Sequence, residues 1–114
     1  MLTIEKLKEF GADVDEGLQR CLNNNDFYLR MVNMGIQDGM FDKLEASLSA
    51  GDLDGAFEAA HALKGILGNL SITPILTVLS EMTELLRART QTDYSEMLKA
   101  VLEGRDALKK MAEE

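Results

Sequence analysis

Apolar residues in this chain of 114 recur three and four positions apart along most of its length, with polar or glycine punctuation at short intervals. That spacing marks one face of an α-helix, at about 100° per residue, and no run of alternating β-branched residues competes with it. Leu53, Ala56, Ala60, Leu63, Leu67 and Leu70 form the clearest stripe. Gly51 is a suitable C-terminal stop before it, and Asp52 a suitable cap for its start. Further on, Thr73 is predicted to cap a helix that opens with Pro74, where the missing N–H costs nothing. That helix would bury Ile75, Leu79, Met82 and Leu86, flanked by Val78 and Leu85. Asp93 or Thr92 starts the last helix, with Tyr94, Met97, Leu98, Val101, Leu108 and Met111 inward. Upstream, Asp26 is expected to cap one long segment running to about Ala50, its inner face passing from Phe27, Met31 and Met34 into Phe41, Leu44 and Leu48. Gly35 and Gly39 weaken its middle enough for a kink or a break.

Connections of two to five residues between four such helices force neighbours to be antiparallel. The fold class is therefore all-α: an up-down antiparallel four-helix bundle, with helices at approximately residues 26–50, 53–70, 74–90 and 93–112. One or two short helices precede it. Residues 3–10 have a Thr3 cap and a Gly11 stop. Residues 14–22 place Val14, Leu18, Cys21 and Leu22 on one side, and Asn23-Asn24-Asn25 breaks them off. No linker, repeat or low-complexity tract divides residues 1–114, so a single domain is expected.

Charge narrows the partners. Twenty acidic and twelve basic residues give a net charge of −8, which repels phosphate backbones and anionic lipid and argues against nucleic-acid or membrane binding. The single Cys21 cannot form an internal disulfide or a cysteine-based zinc cluster and reads as a reduced thiol. The N-terminus lacks the apolar run of a signal peptide, and no segment is long enough to span a bilayer, so a cytoplasmic location is expected; separately, the chain is expected to be a monomer.

One stretch departs from a plain amphipathic helix. His61, the only histidine, is followed by Lys64, Gly65 and Gly68, and these four positions fall in one stripe about 100° wide beside the apolar one. Each glycine costs a helix interior about 1 kcal/mol relative to alanine. Bare helix surface beside a neutral imidazole nucleophile suggests close approach by something large; close helix–helix packing is the other use for such glycines. If His61 carried phosphate, Lys64 would neutralise it one turn along, and the transfer would need mainly positioning and charge. Glu58-x-x-His61 matches half of a di-iron signature, but with one histidine the metal reading fails. Most of the seven methionines fall on inner faces and are expected to be core.

The segment His61-Ala62-Leu63-Lys64-Gly65, followed by Gly68-Asn69-Leu70 and then a further helix, resembles the histidine phosphotransfer (HPt) domain family. With the helix ending at Ala50-Gly51-Asp52, the resemblance spans roughly residues 14–112. It implies a carrier without kinase activity of its own, relaying phosphate between aspartates on response-regulator receiver domains and fed by a hybrid histidine kinase. His61 would be the phospho-acceptor, Lys64 the neutralising residue, and Gly65 and Gly68 the small residues that admit the receiver. No cofactor of its own is implied; Mg²⁺ is expected on the receiver. Two positions depart from the pattern. Ser71 stands where a glycine commonly follows the leucine, a change expected to affect only a turn. Thr83 stands where many members have a Glu or Gln that supports the histidine ring. Two other classes fit the same features: an adaptor bundle that docks receivers without carrying phosphate, and the phospho-acceptor domain of a chemotaxis-type kinase. The chain ends soon after the last predicted helix, which favours a free-standing carrier.

Overall fold

A computed structural model describes all residues from Met1 to Glu114. The chain forms seven helices and no strand: α1 (Ile4–Phe10), α2 (Val14–Arg20), α3 (Asn25–Ile36), α4 (Met40–Ser49), α5 (Leu53–Asn69), α6 (Thr73–Arg87) and α7 (Ser95–Glu113). None is long and apolar enough to cross a membrane.

Local chemistry sets several boundaries where the sequence places them. The side chains of Thr3, Asp13 and Asp52 accept from the backbone N–H of Lys6, Glu16 and Gly55, capping α1, α2 and α5. Gly51 follows α4 with φ of 72°, the left-handed conformation that ends helices most cheaply in glycine.

Other boundaries differ from expectation. Residues 26–50 are two helices. Asp38 turns its carboxylate onto the Met40 N–H at 2.9 Å, competing with helix continuation between two glycines. At the start of α3 the cap is Asn24, whose side chain accepts from Phe27 N–H at 3.0 Å; Asp26 lies in the first turn, where a negative charge suits the helix dipole. The break also frees α3 from the stripe of α4. Its buried face is Tyr28, Val32, Gly35 and Ile36, whereas Phe27 and Met34 are 38% and 60% exposed. Tyr28 sets this rotation: its hydroxyl donates to the Leu70 carbonyl at 2.9 Å in the interior. Leu22 falls beyond α2 and is exposed. Thr73 is the first residue of α6 and not its cap; its hydroxyl donates to the Ser71 carbonyl. Arg89, at φ of 55°, stops α6 short of residue 90. The connection over residues 88–94 is thus longer than expected, and Asp93 accepts from Ser95 N–H at the entry to α7.

α5 lies at the centre, packed against both α4 and α6, and α7 packs on α6. Arg105 of α7 sets its guanidinium 5.3 Å from the Phe41 ring centroid and 4.0 Å from Asp42, bringing α7 to α4. These four helices are the bundle. Phe41, Leu44, Leu63, Leu67, Leu79, Met82, Val101 and Leu108 are among the residues that fill it. α3 lies against α7 and α5, and α2 reaches the bundle where Gly17 meets Tyr28 and the Leu70 carbonyl. A Cβ on Gly17 would lie 2.6 Å from the Tyr28 ring, so only glycine permits this approach.

Candidate functional site

The inner stripe of α5 is sealed: Ala56, Ala59, Ala60, Leu63 and Leu67 are wholly buried. With those residues inward, the helix turns His61 outward, where it is exposed. Lys64, Gly65 and Gly68 follow on the same side. All four line one open, shallow groove of about 420 Å³, together with Glu16, Arg20, Asn69, Leu76 and Ser80. The expected cluster is therefore a spatial one.

The two glycines can be assigned by what a side chain would meet there. A Cβ on Gly65 would have no heavy atom within 4 Å, and one on Gly68 would make ordinary contact with Leu76 at 3.7 Å. Neither is required by helix–helix packing. The bare surface faces outward.

Thr83 does not take the place of a supporting Glu or Gln. It is fully buried, and its hydroxyl donates to the Leu79 carbonyl at 2.6 Å. The aromatic neighbour of the imidazole is Phe57, one turn earlier on α5. The two rings are stacked, with centroids 5.5 Å apart and planes 10° from parallel. The Arg87 guanidinium of α6 lies 5.0 Å from the Phe57 ring centroid. Glu58 is paired with Lys43 of α4 at 2.8 Å.

Sequence reasoning missed Phe57, and it missed the contribution of α2. Arg20 brings a second cation to the rim of the groove, paired to Glu16 at 2.9 Å with both side chains about half exposed. Its i, i+4 spacing to Glu16 signals a helix pair, but nothing local places that pair beside α5. Leu76 and Ser80 reach the groove because α6 runs alongside α5, which only the packed bundle shows.

No curated protein and no solved structure matches the chain. A family model described as Hpt domain matches residues 38–114, a span that begins just before α4 and contains the four bundle helices and His61. The chain belongs to the Hpt domain family, the histidine phosphotransfer domains of two-component signalling.

Proposed function

We propose that His61 is the phospho-acceptor of a carrier that relays a phosphoryl group between aspartates of receiver domains, with a hybrid histidine kinase upstream. The observation that carries this reading is the exposed imidazole in an open groove, flanked by Lys64 and by glycine surface, on a helix whose other face is sealed in the core. In the forward step a ring nitrogen of His61, Nε2 in this reading, attacks the phosphorus of a receiver aspartyl phosphate in line. The N–P bond forms as the acyl phosphate P–O bond breaks, and the aspartate leaves as a carboxylate. Lys64 lowers the charge cost of the transferring group from one turn away. The second step is the reverse attack by an aspartate of another receiver. Mg²⁺ belongs to the receiver's site in this scheme, and the chain itself supplies nucleophile, cation and clear ground.

His61→Gln tests the assignment. Incubated with a phosphorylated receiver, the wild-type chain is expected to gain acid-labile, base-stable label, and the variant none, with unchanged helical circular dichroism. Label retained by the variant would move the acceptor elsewhere. Receiver binding without any transfer would support the adaptor reading.

A further inference from the structure

We propose that Phe57 is a positioning residue for His61 and that Arg87 holds Phe57 in that role; the inference rests on His61 being the phospho-acceptor. Phe57 precedes His61 by four residues, so the two share a face of α5. Near-parallel rings at 5.5 Å are the offset-stacked arrangement that aromatic pairs favour. A histidine on an exposed helix face otherwise samples several staggered rotamers. Contact along one broad ring face removes most of that freedom without occupying either ring nitrogen.

Phe57 is itself restrained. Arg87 reaches from α6 to 5.0 Å from its ring centroid, within cation–π range. A line of contacts thus runs from α6 through Phe57 to the imidazole, across the interface of the two most closely packed helices. In-line transfer needs the nitrogen lone pair aimed along the axis of the leaving oxygen, and rotation about the His61 side-chain bonds works against it. Thr83 of α6 is buried with its hydroxyl donating to the Leu79 carbonyl, so it offers the ring no hydrogen bond. Restraint by stacking replaces restraint by hydrogen bonding.

The test is single-turnover transfer from a phosphorylated receiver, measured against receiver concentration, for Phe57→Ala, Phe57→Tyr and Arg87→Gln. Phe57→Ala is expected to lower the saturating rate about tenfold, the scale of one aromatic stack, while the half-saturating receiver concentration stays put and label remains on His61. Phe57→Tyr, which keeps the flat ring, restores the rate. Arg87→Gln slows transfer less, and combining it with Phe57→Ala adds nothing further, because Arg87 acts through the ring. His61 is the only histidine, so its two carbon-bound ring protons are unambiguous by NMR; they are expected to move downfield when the stacked ring is removed. Should Phe57→Ala unfold the chain, Phe57→Leu, similar in bulk but without a flat face, takes its place in the series. A wild-type saturating rate with unmoved ring resonances would overturn the proposal. A raised half-saturating concentration at unchanged saturating rate would overturn it too, making Phe57 a docking contact. Absence of label on the wild-type chain sinks the phospho-acceptor reading itself, whereas labelled wild type beside an unaffected Phe57→Ala sinks this inference alone.

Discussion

Ser71 sits between α5 and α6 at φ of 56°, a conformation that suits glycine. Its backbone is heavily used: the N–H donates to the Gly68 carbonyl, and its own carbonyl accepts from Asp13 N–H and the Thr73 hydroxyl. Its side-chain Oγ is buried without a partner. The departure from glycine therefore weighs more than a turn substitution would suggest. The left-handed conformation costs a non-glycine residue about 1–2 kcal/mol, against which glycine's extra freedom in the unfolded chain returns up to about 1 kcal/mol. Ser71→Gly is expected to stabilise the fold by about 0.5–1 kcal/mol, read as a higher urea midpoint at unchanged slope. At this scale the cluster that lines the groove was legible, because His61, Lys64, Gly65 and Gly68 lie within two turns of one helix. Phe57 was not. Its spacing to His61 is local, but an aromatic on an amphipathic helix reads as core, and its second partner, Arg87, lies thirty residues away on α6.

Some helix starts that depend on a side chain reaching three residues ahead were legible, as at Thr3 and Asp52, whereas the Asn24 cap of α3 was not. The rotation of α3 was not, because it is set by a contact between residues 28 and 70. Tyr28 is the joint between α2, α3 and the end of α5: Gly17 lies against its ring, and its hydroxyl holds the Leu70 carbonyl. Burial, the main cause, pushes its phenol up to about 12, and the neighbouring Cys21 and Asp13 push in the same direction. The folded state thus favours the neutral phenol, whereas the unfolded chain ionises near pH 10. The sign follows: this contribution to stability is complete below about pH 10 and is lost as pH rises toward 12, at up to about 1.4 kcal/mol per pH unit. Tyr28→Phe, which cannot ionise, is expected to be less stable at neutral pH for want of the hydroxyl's bond, and to lose less between pH 9 and pH 11 than the wild type. Urea midpoints at the two pH values check this; equal losses would mean that Tyr28 does not couple folding to alkaline pH.

The bundle as a whole separates two demands on α5. One face packs α4 and α6 and fixes the helix; the other is left open around His61, and under the proposed function a receiver docks there. Gly65 makes the separation testable, because a side chain there would point into open space and the fold has no use for the glycine. Replacing glycine in a helix interior with glutamine gains roughly 0.5 kcal/mol of intrinsic propensity, which for a domain of this size raises the melting temperature by about 2 °C. Gly65→Gln is therefore expected to be slightly more stable than the wild type and yet to accept phosphate from a receiver at least about tenfold more slowly, since a long side chain would stand where the two proteins must meet and misplace the reacting atoms. Thermal unfolding and receiver-dependent transfer, measured on the same preparation, should move in opposite directions. A variant that gains stability and transfers at the wild-type rate would mean that the bare surface is not where the receiver docks. A variant that loses stability would mean that the open side of α5 is packed in solution, and the groove around His61 would no longer be available to any partner.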